Sequence, residues 1–141
     1  MSERPERGVA LERVVEDETG AQRALGYVHH IFPDRTETHL TLDDRHTNRH
    51  GTLHGGLATM MLDSACGFAA SRHFSEDTGQ LVVTLSFTTN YLAASSGPHV
   101  VATGRVTGGG RSVAYCEGRL TDDDGLLIAT ATGVFKRLSR R

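Results

Sequence analysis

The stretch HGGLATMMLDSACGFAASRH, residues 54–73, decides the fold. Leu57, Met60, Met61, Ser64, Ala65 and Phe68 recur at helical intervals. At about 100° per residue they form one stripe. Thr59, Asp63, Cys66 and Ala70 fall on a second side made of small or polar groups. A helix with two such faces can be packed on both. Gly55 and Gly56 open it, so its first backbone N–H groups can be approached closely.

Downstream the period changes. Residues 81–92 alternate, with apolar side chains mostly at odd positions and polar ones mostly at even positions. That is a long, half-buried strand. If the face of Val83, Leu85 and Phe87 packs on the helix, Thr84 points away from Asp63 of its own chain. Residues 100–107 and 111–120 read as strands around the turn Gly108-Gly109-Gly110. Asp122-Asp123-Asp124-Gly125 turns the chain into a last strand at 126–136. Such short turns imply antiparallel pairing, because parallel pairing needs a long crossover. Upstream, residues 26–31 and 37–42 read as two short strands around Pro33. Two strands, one long helix and four strands make an α+β chain, in which the helix must cover the sheet for both apolar faces to be buried. Residues 1–20 are charged and aperiodic, and read as a frayed or amphipathic arm.

The 141 residues fit one domain, with 38% apolar and 23% charged side chains, an ordinary balance for a globular protein. Fifteen Lys and Arg against 17 Asp and Glu give a net charge of −2, which argues against a dedicated nucleic-acid binder. No run approaches the roughly 18 apolar residues of a membrane span. The first residues lack the apolar core of a secretory signal. Cys66 and Cys116 fit a reducing compartment, so a cytoplasmic location is expected.

The chemistry concentrates in His46-Thr47-Asn48-Arg49-His50-Gly51-Thr52-Leu53-His54-Gly55-Gly56, followed by Asp63. Three readings compete. His46, His50 and His54 are spaced by four, as metal ligands on one helical face would be, but the glycines among them oppose a helix there, and no HExxH motif or paired cysteine accompanies them. Alternatively, these polar residues only satisfy backbone groups in a loop, and Asp63 is an ordinary solvated helix residue. The third reading is an active site at a helix N-terminus. There the Gly55 N–H and the helix dipole favour an oxyanion. Asp63 lies eight residues on, about 12 Å along the axis, and cannot sit beside Gly55 of its own chain. A two-fold dimer with neighbouring antiparallel helices would bring one chain's Asp63 to the other chain's Gly55.

His46-Thr47-Asn48, Gly51-Thr52-Leu53-His54-Gly55-Gly56 and Asp63 together resemble the signature of hotdog-fold acyl-CoA thioesterases. The nearest branch is that of the phenylacetic-acid-degradation thioesterases and the acyl-CoA thioesterase 13 type. The resemblance covers about residues 24–137. It implies an arm at 1–23 and one hotdog domain at 24–141, a long helix wrapped by a curved antiparallel sheet. By position, Asp63 matches the family's catalytic carboxylate, general base or nucleophile, and Gly55 the oxyanion donor. Asn48 and His54 match polar residues that order the loop and the reacting groups. Thr84 falls where a Ser or Thr is thought to position water. Tyr91 and the turn Gly110-Arg111-Ser112 fall near positions that contact coenzyme A. The resemblance thus implies an acyl-CoA hydrolase working as a dimer or a dimer of dimers. It needs no metal or redox cofactor, since coenzyme A belongs to the substrate. The rival readings are a hotdog hydro-lyase acting on enoyl or hydroxyacyl thioesters and a non-catalytic acyl-CoA-binding module.

Overall fold

The computed structural model describes residues 9–95 and 97–139. In chain order the elements are β1 (Arg13–Val15), α1 (Gly20–Leu25), β2 (Val28–Ile31), β3 (Thr36–Thr41), α2 (Gly55–Phe74), β4 (Val82–Tyr91), β5 (His99–Gly109), β6 (Val113–Asp122) and β7 (Leu127–Arg137). The strands form one seven-stranded sheet in the order β1-β2-β3-β5-β6-β7-β4, antiparallel throughout. The 20-residue α2 lies across one face of it and touches β3 to β7. This is the α+β arrangement expected, a long helix wrapped by an antiparallel sheet.

The arm differs from its reading. Residues 13–15 pair with β2 and extend the sheet, and α1 follows, capped by the Thr19 side chain and closed by Gly26 in the left-handed region. The part of the arm at 1–8 lies outside the described residues.

The helix is also rotated from expectation. Its buried face is Ala58, Met61, Leu62, Ala65, Cys66, Ala69 and Ala70, whereas Leu57, Met60, Ser64 and Phe68 are only half-buried. The reason lies in the sheet. At Gly104 of β5 an added Cβ would stand 2.6 Å from the Ala65 carbonyl carbon and 2.7 Å from the Cys66 nitrogen. Backbone meets backbone there, and the Thr36 hydroxyl donates to the Ala65 carbonyl. Only small side chains fit at that point, where Ala65 and Cys66 lie, while Met61 and Leu62 are buried one turn before it.

The strand after the helix carries two alternations, not one. Thr84 pairs with Phe135 and Ser86 with Val134, which leaves Leu85 as the extra residue of a β-bulge. A bulge inserts one residue and reverses which side chains face the core. Before it, Val82 and Thr84 face the helix, and after it Phe87 and Thr89 do. Val83 and Leu85 are left exposed, beside Leu81. Because β4 is the last strand in the sheet, one of its edges has no neighbouring strand among the described residues.

Candidate active site

The loop before α2 is stiffened from within. Asn48 folds its side chain back, so that its Oδ1 accepts from the backbone N–H of His50 (2.9 Å) and of Thr52 (3.2 Å). Gly51 completes the turn at φ +79°, a conformation that costs glycine little. Thr47 bridges Leu53, and the His54 N–H donates to the His46 carbonyl at 2.8 Å. These bonds deliver the chain to the helix start at a fixed angle. His54 is the N-cap, and its Nδ1 accepts from the Gly56 N–H at 2.9 Å. Among the described residues the Gly55 N–H has no hydrogen-bond partner, so it is a donor placed at the positive end of a 20-residue helix.

Tyr91, at the end of β4, lies across that helix start. Its hydroxyl donates to the Gly55 carbonyl at 2.8 Å and sits 2.6 Å from the Thr59 hydroxyl, which in turn donates to Thr89 at 3.0 Å. Thr59 and Thr89 were not singled out from the sequence. The helical period placed Thr59 on the polar side, but Thr89 reaches it only because the bulge reverses the alternation of β4.

The same bulge corrects the expected orientation of Thr84. Its hydroxyl points toward the helix of its own chain and donates to Asp63 Oδ1 at 2.7 Å. Asp63 and Thr84 open on a cleft of about 570 Å³, walled by Tyr27, His29, Phe68, Val82 and Phe135. In this cleft His29 is held by Thr38, with Nδ1 to hydroxyl 2.9 Å, and packs on Phe68 with ring centroids 4.4 Å apart. Burial, and secondarily the neighbouring His30, pushes the His29 imidazole down to about 4, so it is neutral near pH 7. Cys66, on the helix beside Asp63, is no competing nucleophile. Burial, reinforced by Cys116 and Asp63, pushes its thiol far above the usual range, and thiolates are the reactive form.

Other sequence candidates lie apart. The turn Gly110-Arg111-Ser112 sits at the far end of α2 from Gly55, where His73 Nε2 is 3.1 Å from the Gly110 carbonyl. His46 is fully buried and uses both ring nitrogens, Nδ1 accepting from the Asp43 N–H and Nε2 donating to the Leu25 carbonyl. With His54 capping the helix, His46, His50 and His54 do not form a ligand set.

This geometry can stabilise an oxyanion at Gly55 and move a proton at Asp63, at two places on one helix. Comparison with known proteins identifies the family of the chain. Residues 50–129 match the model of the thioesterase superfamily. A Pseudomonas aeruginosa protein named as an esterase, PA0474, is 33% identical over 97 residues, 68% of this chain and 70% of that one. Mouse acyl-coenzyme A thioesterase 13 is 29% identical over 99 residues, 69% of each chain. The crystal structure of the BH2602 protein from Bacillus halodurans with CoA superposes with a TM-score of 0.67 at 27% identity, over 72% of this chain and 66% of that one. The helix wrapped by its sheet is thus a hotdog domain, and the chain belongs to the thioesterase superfamily.

Proposed function

We propose that the protein hydrolyses acyl-CoA thioesters in sites shared between two protomers. The observation that carries this reading is the Asp63 carboxylate, held by Thr84 at the mouth of a cleft, two helical turns from the Gly55 donor. The acyl group enters the cleft beside Asp63, against Phe68 and Phe135. The thioester carbonyl oxygen of that substrate lies at the Gly55 N–H of the neighbouring protomer. Water attacks the carbonyl carbon while Asp63 takes its proton, and the oxyanion forms at Gly55. When the intermediate collapses, the carbon–sulfur bond breaks and the coenzyme A thiolate takes the proton back from Asp63. Thr84 fixes the carboxylate, while Asn48 and His54 fix the loop that aims the Gly55 N–H. Coenzyme A itself runs along the surface near Tyr91 and a neighbouring Gly110-Arg111-Ser112 turn.

Two features support the shared site. Eight residues of helix, about 12 Å, separate the donor and the carboxylate within one chain. Among the described residues β4 has a free edge, with Leu81 just before it and Val83 and Leu85 on its face away from the helix all exposed, and a second β4 laid against that edge would continue the sheet beside them. The mouse and Bacillus relatives, named for acyl-coenzyme A and crystallised with CoA, support the choice of substrate class.

The test is a panel of acyl-CoAs, following both free thiol and the absorbance of the enoyl group. Saturable thiol release with at least one acyl chain is the expected result. Enoyl absorbance changing without thiol would make the protein a hydro-lyase. Tight binding with neither change would make it a binding module.

A further inference from the structure

Four side chains of complementary chemistry meet on the outer face of the sheet, the face turned away from α2 and the cleft. His30 of β2 stands directly opposite Glu37 of β3. His39 lies two residues further along β3, on the same face as Glu37, and His99 of β5 lies diagonally across from it. The His30 and His39 rings stack with centroids 4.1 Å apart. His39 Nε2 is 2.9 Å from Glu37 Oε1, and His39 Nδ1 is 3.1 Å from His99 Nε2. One ring nitrogen of His30, one of His39 and one oxygen of Glu37 all lie within 4.8 Å of one another. All three residues are half-buried, and no other such group of His, Cys, Asp or Glu occurs among the described residues.

We infer that His30, Glu37 and His39 form a zinc site, with His99 orienting His39. Two imidazoles and a carboxylate are a donor set suited to zinc, which takes three protein ligands and a water in open sites. Donor atoms on one tetrahedral zinc stand about 3.3 Å apart, so small side-chain rotations close the present spacing. The surroundings are also those of a ligand set. The other oxygen of Glu37, Oε2, accepts from the Arg35 guanidinium at 2.8 Å, and the Arg35 side chain is only 6% exposed. That fixes the carboxylate plane and leaves Oε1 toward the histidines. Histidines that bind metals commonly have their second ring nitrogen held by a neighbouring acceptor, and His99 Nε2 is so placed for His39 Nδ1. On binding, zinc takes the lone pairs of His39 Nε2 and Glu37 Oε1, and the neutral His39 imidazole then carries its single proton on Nδ1, from which it donates to His99 Nε2. The ion joins β2 to β3, and through His99 to β5. The histidines of the helix-start loop take no part.

The test uses the full chain, freed of metal by chelator and checked for fold by circular dichroism. Titration with zinc chloride, read by calorimetry and by thermal midpoint, is expected to show one zinc per chain and a midpoint that rises with zinc. His30→Asn and Glu37→Gln should each weaken binding at least about 100-fold. His99→Asn should weaken it about 10–100-fold, the usual effect of removing an orienting partner. His50→Asn and His73→Asn should leave it unchanged. Cobalt(II) added to the parent chain should give the strong visible bands of a four- or five-coordinate ion, a readout that does not depend on any variant folding. The absence of saturable one-to-one uptake would overturn the site. So would unchanged uptake in folded His30→Asn or Glu37→Gln, or the weak spectrum of an octahedral cobalt ion.

Discussion

The start and the middle of α2 are built on opposite plans. At the start, one chain satisfies itself: Asn48 holds its turn, His54 caps the helix, and Tyr91 is joined to Gly55 and Thr59. At the middle, Asp63 is held by Thr84, and Thr84 lies on a strand whose outer edge has no neighbour among the described residues and which carries or adjoins three exposed apolar side chains. A region that closes on itself can be prepared before substrate arrives. A region that ends on an open, apolar edge is finished by something else, which in our reading is a second protomer.

The largest effect expected is at the middle. Asp63→Asn keeps size and shape but removes the carboxylate that we propose as the base, so kcat should fall by roughly 10²–10⁴-fold with KM nearly kept and the fold intact. Steady-state kinetics on the best acyl-CoA decide it, and activity within a few-fold of the parent removes Asp63 from the reaction. Next comes the edge. Val83→Glu with Leu85→Glu places charge where a second β4 would pair, and should yield monomers by sedimentation with turnover reduced at least about 10²-fold, as for the loss of an oxyanion donor. A fully active monomer would falsify the shared site.

A smaller effect follows from His29 in the cleft wall. In the unfolded chain an imidazole takes up a proton near pH 6.5, whereas the buried His29 resists it until about 4. Its contribution to stability is therefore complete above 6.5, is lost as the pH falls from there to 4, and changes no further below. The whole loss is on the order of 3 kcal/mol. Urea midpoints at several pH values should show this slope in the parent and a flatter one in His29→Gln. The smallest effect belongs to the helix start. Tyr91→Phe removes one hydroxyl from a network with other members, so stability should drop by about 1 kcal/mol and turnover by less than 10-fold. A drop as deep as that of Asp63→Asn would make Tyr91 part of the chemistry and erase the contrast between the two regions.

Which parts were legible in the sequence follows from what sets each of them. The existence of α2, its start at Gly55 and the antiparallel strands after it depend on local periodicity and turn residues, and those are written in the chain. The facing of α2 was misread because it depends on Gly104, 39 residues beyond Ala65, which brings the backbones together and leaves room only for small groups. The orientation of Thr84 was misread for a related reason. A strand that alternates without interruption gives no sign of a bulge, and Leu85 looks like any other apolar odd position. β1 was hidden in a charged arm because three residues on a sheet edge need little apolar pattern of their own. The cluster of His30, Glu37, His39 and His99 spans 70 positions and three strands, so it exists only through register.

The close approach at Gly104 also bears on how the protein tolerates mutation. In most cores shaving a side chain is the costly change, since it leaves a cavity. Here Ala58, Ala65, Ala69 and Ala70 make up half of the buried residues of α2, and at those positions there is little to shave. Added volume is the danger, because neither backbone can retreat without disturbing the ladder of hydrogen bonds behind it. A substitution scan should therefore show an inverted pattern. Ala58, Ala65, Ala69 and Gly104 should reject larger residues at a cost of about 1–3 kcal/mol or more, while Met60→Ala on the half-buried margin is borne with less loss of fold. A scan in which truncations at the margin hurt folding more than enlargements in the stripe would show that the gap between helix and sheet is softer than its dimensions suggest.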